Sequence, residues 1–322
     1  MASFTRYPSI SNYGNSKIES MCETVPQDEE WIVTEKLHGA NFQFWTNGQE
    51  VKLGTRNKYV TPFDEVAFHN CGKVGIKVKP KILELFKEFT DCKEMIVFGE
   101  LFGGSYVGFP QTSKPVQKEI LYCPNVNFAA FEIEKDGKLL SKVESLYLLK
   151  KHEILCVFPI FNGNFKEAME FSIQNYDKPS DAYRWLGLDP ITNVPNIREG
   201  HVIQPNNTYY SKQGDRVIIK HKNEFWSESR TSNPTSKISN HTNPLMEAAI
   251  NMITANRLKN IISQGDILSS EPFQKFIGPM VKDIIKEMET QVDEKELHGF
   301  QKLLSKEVQS RLKDLLIQVN QE

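Results

Sequence analysis

The stretch WIVTEKLHGANFQFW, residues 31–45, decides how the first two-thirds of this chain is read. Aromatic and apolar residues crowd both of its ends. The middle, Glu35-Lys36-Leu37-His38-Gly39, is polar and closes on glycine. The pattern predicts two strands around a turn at His38-Gly39. Lys36 then sits at a strand-to-turn junction, with a glycine three residues on. A lone lysine with that spacing marks an exposed turn as readily as a site, so the rest of the chain has to decide.

Working outward, Ser16-Lys17-Ile18-Glu19 has the pattern of a capping box opening a short helix. Thr61-Pro62 puts proline at a helix start, with Gly72 as its stop. PKILELFKEFTD, residues 80–91, has apolar residues at helical spacing. Met95 to Leu101 and Asn127 to Ile133 read as buried strands. Ser141-x-x-Glu144 opens a further helix, SKVESLYLLKKH, followed by the strand-like ILCVFPIF. Gly200 to Ile203 and Arg216 to Lys222 are late strands.

The run SESRTSNPTSKISNHTNP, residues 227–244, is polar and carries two prolines, as a linker does. The pattern beyond it is wholly helical. Asn243-Pro244 caps a helix carrying Leu245, Ala249, Met252, Ile253 and Ile261 that runs to Gly265. A second helix from near Pro272 to Thr290 carries Ile277, Val281, Ile284, Ile285 and Met288, with Pro279 as a kink site. A third carries Leu297, Phe300, Leu304, Val308, Leu312, Leu315 and Val319. Such stripes are assigned to packing. The expected division is a first domain over 1–228, a linker over 229–243 and a helical domain over 244–322.

Composition narrows the classes. A chain of 322 residues suits two domains, or one large domain with an appendage. No apolar run approaches the ~20 residues a membrane helix needs. MASFTRYPSISNYG lacks the apolar core of a signal peptide. The five cysteines are scattered, none in a Cys-x-x-Cys pair, which predicts reduced thiols and a cytoplasmic setting. A net charge of −2 gives no global pull toward nucleic acid, so any such site must come from local basic clustering.

Five features stand in order along the first domain: Glu35 to Gly39; Gly54-Thr55-Arg56; Phe98-Gly99-Glu100; Phe128 to Glu132; and, late, Glu199-Gly200 with Arg216-Val217-Ile218-Ile219-Lys220-His221-Lys222. Alternate residues of a strand share a face. Val217, Ile219 and His221 therefore point one way, and Arg216, Ile218, Lys220 and Lys222 the other. Two lysines on one face of an apolar strand repel each other and call for an anion, for which a nucleotide phosphate is a natural candidate. Taken alone, the same strand also fits a sheet edge with solvated lysines. Alone, Glu100 and Glu199 fit surface carboxylates, and Phe131 a core residue.

The ordered set resembles the covalent nucleotidyltransferases, the superfamily of ligases and capping enzymes. More narrowly it resembles the RNA ligase 2 family of bacteriophage enzymes and trypanosome RNA-editing ligases. EKLHGANF (35–42), FGE (98–100), the FE ending at 132, EGHVI (199–203) and RVIIKHK (216–222) carry the match, and NRLKNIIS (256–263) extends it into the tail. The resemblance implies an α+β fold: an ATP-grasp-like nucleotidyltransferase domain of antiparallel sheets flanked by helices, then a small all-helical C-terminal domain. It implies an ATP-dependent RNA ligase that joins 3′-hydroxyl and 5′-phosphate ends, with nicked duplex RNA as substrate.

In the implied chemistry Lys36 attacks the α-phosphorus of ATP, AMP passes to an RNA 5′-phosphate, and a 3′-hydroxyl displaces it. Free lysine, with a pKa near ~10.4, is protonated at neutral pH, so neighbouring cations are needed to favour the neutral amine. Lys220, Lys222 and Mg2+, for which Mn2+ can substitute, fill that part. Glu199 is expected to hold the metal, and Glu100 the ribose hydroxyls. Phe131 is expected to stack on adenine, Glu35 and Asn41 to hold the nucleoside, and Arg56 to contact a phosphate or ribose. His38 is assigned a chemical step and not a metal; a turn histidine bonded to backbone is the alternative. Arg257 and Lys259 are candidate RNA-phosphate contacts, with a solvated helix face as the alternative.

Two residues depart from the common family pattern: Ala40, where many relatives have threonine, and Gln204, where many have a basic residue. A monomer is expected, and the family's frequency in phages and viruses admits such an origin. The competing readings are a DNA ligase, a capping-type enzyme, and a catalytically inert RNA-binding relative. The helical tail disfavours the first two, which follow their catalytic domain with a strand-rich barrel. An intact set of Lys36, Glu100, Glu199, Lys220 and Lys222 disfavours the third.

Overall fold

The computed structural model describes residues 4–14, 17–61, 68–111, 114–192, 194, 196–223, 244–263, 271–288 and 297–321. The chain divides into two units, Met1–Asn223 and Glu224–Glu322. In the first, the strands are Ser11–Asn12 (β1), Trp31–Glu35 (β2), Ala40–Thr46 (β3), Val51–Thr55 (β4), Met95–Ser105 (β5), Cys123–Lys135 (β6), Lys138–Leu139 (β7), Pro159–Gly163 (β8), Gly200–Pro205 (β9) and Ile219–Lys222 (β10). The helices are Ile18–Cys22 (α1), Cys71–Phe86 (α2), Lys142–Lys151 (α3), Phe165–Asn175 (α4) and Ala182–Trp185 (α5).

Residues 31–46 do form two strands, but not a hairpin. β2 lies in a sheet ordered β1-β10-β9-β2-β8, and β3 in a second sheet ordered β4-β3-β5-β6-β7. Lys36 to Gly39 is therefore a crossing between sheets. Gly39 makes the crossing possible: a Cβ there would lie 2.0 Å from the Leu101 carbonyl oxygen. The late lysine strand is no edge either. β10 is covered on one side by β9 and on the other by the short parallel strand β1, which removes the solvated-edge reading.

Every pairing in the second sheet is antiparallel. Its buried face (Phe42, Phe44, Val97, Leu101, Phe128, Ile133) packs on Val74, Ile82 and Leu85 of α2 and on Leu146 and Leu149 of α3. Burying a side chain of that size stabilises by roughly 1.5–3 kcal/mol. Ala40 belongs to the same core, so its methyl group occupies an apolar position. Ser141 caps α3 as its sequence predicts, accepting from the Glu144 N–H at 3.2 Å. The first sheet packs Trp31, Val33, Ile203, Val217 and Ile219 against Ile18 and Met21 of α1 and Ala168 of α4. Between the sheets runs a polar bridge. Arg216 grips the Glu132 carboxylate with both terminal nitrogens, and Gln204 Nε2 donates to Glu132 Oε1 at 3.0 Å.

Several local expectations are corrected. α2 begins at Cys71, so Gly72 lies inside a helix instead of ending one. Pro80 also lies within α2; the i−4 carbonyl it leaves unserved belongs to Ile76, an exposed residue that water can reach. α1 follows Lys17 without a side-chain cap, and Ser16, Pro62 and the expected linker 229–243 lie outside the described residues. α4, which no sequence expectation covers, is opened by an Asn164/Glu167 capping box. The five cysteines form no disulfide. No described helix is long and apolar enough to cross a membrane.

In the second unit the helices are Pro244–Asn251 (α6), Ala255–Ser263 (α7), Ile277–Met288 (α8) and Leu297–Gln321 (α9), with a 3-10 turn at Phe273–Phe276. The expected first helix is thus two. Thr254 interrupts it and caps α7, its Oγ1 accepting from the Arg257 N–H at 3.2 Å. Pro279 falls in the first turn of α8, where a missing N–H breaks no helical bond. Met246, Leu258, Phe276, Ile284, Leu304, Val308 and Leu312 share one core.

Arg257 corrects a functional expectation. It is 0% exposed, donating to Asp283 at 2.6 Å and to Glu287 at 2.8 Å, so it ties α7 to α8 and is closed to RNA. Its helical position had matched a solvated face; the two acids one turn apart on α8 draw it inward. Replacing it with alanine strands those carboxylates and opens a cavity. Arg257→Ala should cost roughly 3 kcal/mol of stability, read as the urea midpoint of the helical unit's transition.

Candidate active site

Lys36 follows β2 directly, and its backbone N–H donates to the Gly200 carbonyl at 2.9 Å. The nucleophile candidate is thereby tied to the Glu199-Gly200 motif before its side chain is considered. Gly200 has φ +148, and a Cβ on it would lie 2.0 Å from the His221 carbonyl oxygen, so β9 and β10 meet there only because the residue is glycine. The Lys36 ammonium then reaches Glu199 Oε2 at 2.5 Å.

Glu199 serves more than Lys36. His38 Nδ1 stands 3.5 Å from the same oxygen, and Lys222 Nζ 3.9 Å from Oε1. Burial alone would raise the Glu199 carboxyl, but the charges of Lys36, His38 and Lys222 hold it well below the usual carboxylate range. Burial would likewise lower His38. Its contacts to Glu119 (3.3 Å from Nε2) and Glu199 outweigh that and lift it to about 9. His38 thus stands between two carboxylates, an arrangement that favours its protonated form. Glu119, raised by burial but lowered further by His38, sits at about 2. The His38 N–H donates to the Tyr122 hydroxyl at 2.9 Å. Glu119 and Tyr122 were not singled out in the sequence; both lie in the connection between β5 and β6, which carries no recognisable motif.

Glu100 faces Asn41 across the β3–β5 pair. Burial pushes its carboxyl up to about 8, against the lowering charges of Lys36, His38 and Arg56, which places it in the same electrostatic neighbourhood. Glu35, on the opposite face from Lys36, accepts the Asp181 N–H at 3.1 Å and is raised to about 7, again by burial. Among the described residues, the buried atoms Glu35 Oε1 and Asn41 Oδ1 find no hydrogen-bond partner. Orphaned buried acceptors are rare, and a nucleoside's donors would satisfy them. Phe131 is the extra residue of a β-bulge: Phe98 pairs with Glu132 and Gly99 with Ala130. Its ring stands edge-on to Tyr7, at 5.0 Å between centroids. Lys220 shares the face of Lys222 and is half-buried.

No group of three His, Cys, Asp or Glu among the described residues forms a metal cage. That suits Mg2+, which is commonly held by one or two carboxylates together with substrate phosphates.

Residues 29–222 match the family described as RNA ligase, and residues 235–316 the family described as T4 RNA ligase 2 C-terminal. The chain is 25% identical to the mitochondrial RNA-editing ligase 1 of Trypanosoma brucei brucei, covering 98% of this chain and 82% of the relative. With that organism's RNA-editing ligase 2 it is 23% identical, covering 88% and 82%. Among solved structures, a Naegleria gruberi RNA ligase with ATP and Mn gives a TM-score of 0.49 at 15% identity, over 71% of this chain and 59% of that one. An archaeal ATP-dependent RNA ligase gives 0.46 at 15%, over 97% and 65%. The chain thus spans about three-fifths of the length of those solved chains, and scores below 0.5 add nothing to the family match.

The raised groups make a pH prediction. Glu100, with ordinary value 4.5 and folded value about 8, binds its proton more tightly folded than unfolded. Its contribution is fully favourable below pH 4.5 and is lost as pH rises to about 8. Glu100→Gln fixes the neutral form. The variant should gain stability relative to the parent between pH 5 and pH 8, read from urea midpoints. A gap that stays constant with pH would contradict the assignment.

Proposed function

The chain belongs to the RNA ligase family and is an ATP-dependent RNA ligase; on that premise we propose that Lys36 carries AMP and that the enzyme seals nicks in duplex RNA. The observation that carries the reading is the Lys36–Glu199 contact of 2.5 Å, with Lys222 and His38 on the same carboxylate. The N–P bond forms between Lys36 Nζ and the α-phosphorus while the bond to pyrophosphate breaks. AMP then passes to the RNA 5′-phosphate, restoring the lysine. The 3′-hydroxyl attacks that phosphate, and AMP leaves.

In the resting geometry Lys36 Nζ lies 2.5 Å from Glu199 Oε2. Attack requires the amine to leave that carboxylate and to release its protons to solvent. Lys220 and Lys222 then favour the neutral amine and neutralise charge building on the phosphate. Mg2+ on Glu199 would supply further charge neutralisation at the phosphates and compete with Lys36 for the carboxylate. Glu100, largely protonated at neutral pH, both donates and accepts, which suits ribose hydroxyls. Glu35 Oε1 and Asn41 Oδ1 offer acceptors to the nucleoside, and Arg56 a cation to its phosphates or ribose. Phe131 stacks on adenine from its bulge position.

The helical unit binds the RNA end. With Arg257 buried, Lys259 remains the candidate of the original pair. Contacts to phosphate and 2′-hydroxyl distinguish duplex RNA by shape, and binding falls steeply with salt. The protein acts as a monomer.

Intact mass after incubation with ATP and Mg2+ should rise by one AMP, and Lys36→Ala should abolish the rise. Glu199→Ala should slow adduct formation by roughly 10²- to 10³-fold, the usual size of such a loss. Paired nicked-RNA and nicked-DNA duplexes test the substrate. Equal sealing of both, or label transfer from GTP alone, defeats the proposal.

A further inference from the structure

Behind the face that carries Lys220 and Lys222 lies a buried polar cluster that the reaction does not use. His201 and His221 stand directly opposite each other on β9 and β10. Ser172 of α4 lies between them, its Oγ 3.0 Å from His201 Nδ1 and 2.9 Å from His221 Nδ1. Arg198 Nη1 stands 3.2 Å from His201 Nε2. The other guanidinium nitrogens are held by the Lys178 and Pro179 carbonyls and by Asp181. Tyr13 and Tyr176 stack on the His221 ring at 4.1 and 4.4 Å between centroids. Ser172, His201 and Arg198 are each at most 4% exposed.

The donors and acceptors of this cluster admit a one-way chain. A guanidinium only donates. His201 Nε2 therefore accepts, and its single proton sits on Nδ1. That N–H donates to Ser172 Oγ. Ser172 Oγ can accept from one ring and donate to the other; in that arrangement its proton goes to His221 Nδ1, and His221 carries its own proton on Nε2. The chain runs one way, Arg198 to His201 to Ser172 to His221. It crosses from the residue before Glu199, through α4, to the residue between Lys220 and Lys222.

We propose that this directional relay fixes β9 against β10 and so sets Glu199 and Lys222 at their working separation, with Ser172 as its positioning residue. The argument is one of geometry. Arg198 and His201 flank the Glu199-Gly200 pair, and His221 is flanked by the two lysines. The Asn223 N–H donates to the Glu199 carbonyl at 2.8 Å, so a slip of β10 moves both partners of the ion pair. The hydroxyl of Ser172 is the only link in the chain that both accepts and donates through one atom. An alanine there breaks it at both ends without adding bulk.

The inference rests on the assignment of Lys36 and Glu199 to AMP transfer, and its test separates the two. First, nitrogen-15 NMR of the histidines in the free protein should show His201 protonated on Nδ1 and His221 on Nε2. Ser172→Ala should leave both rings without a single preferred tautomer. Second, single-turnover formation of the AMP adduct should slow in Ser172→Ala by roughly 10²-fold, the scale of an ångström-sized misplacement. The final adduct per enzyme and the ATP concentration for half-maximal rate should stay as in the parent. Ser172→Thr, which keeps the hydroxyl, should recover the rate. His201 protonated on Nε2 overturns the relay, whatever the activity. An unchanged rate in Ser172→Ala, or a loss confined to the amount of adduct, overturns the positioning role. A parent enzyme that forms no adduct defeats the assignment of Lys36 and leaves the NMR result to stand or fall alone.

Discussion

One carboxylate shared by three cationic side chains is the interaction on which the rest depends. Glu199 is buried, and a buried carboxylate is tolerable only with compensating charge. Lys36 and His38 supply it from the crossing between the sheets, and Lys222 from β10. The consequence runs in both directions. The cations stabilise the acid, and the acid keeps three mutually repelling cations within reach of one another. His38 is in turn shared with Glu119. A polyanionic nucleotide entering such a place meets charges already assembled, so little reorganisation is left for the moment of reaction.

The backbone prepares this arrangement. The chain leaves one sheet at Glu35 and enters the other at Ala40, with four residues to make the crossing. A hydrogen bond from the Lys36 N–H to Gly200, and a glycine at each close approach, fix where the crossing runs. The side chain of Lys36 is thus aimed by strand pairing and not by a flexible loop. Strand alternation does the rest: Glu35 and Lys36, one residue apart, face opposite sides, so one meets the Asp181 turn and the other the shared carboxylate.

This explains which parts of the molecule could be read from the sequence. Period-two alternation is local, so the separation of Val217, Ile219 and His221 from Lys220 and Lys222 is legible, as are the cap of α3 and the apolar stripes of α8 and α9. Pairing partners are not local. Nothing in residues 31–45 says that the two strands belong to different sheets, and a hairpin was the natural reading. Thr254 looked like one more polar residue in a helix until its side chain was seen to cap the next one. Arg257 has the spacing of a solvated face; only the position of Asp283 and Glu287, a helix away, draws it into the core. Glu119 and Tyr122 had no signature because their role depends on where the β5–β6 connection returns.

The departure at Gln204 has a similar lesson. A neutral side chain where many relatives carry a basic one reads as a lost phosphate contact. Here its amide donates to Glu132, an acid that Arg216 already grips with two nitrogens and that feels the buried Lys142 ammonium as well. A third cation would leave this inter-sheet bridge with more positive charge than its one carboxylate can balance in a buried setting. A neutral donor fills the remaining lone pair without that excess. The substitution belongs to the balance of the bridge that joins the two sheets. The positive charge around Glu199 comes from other residues and does not depend on it.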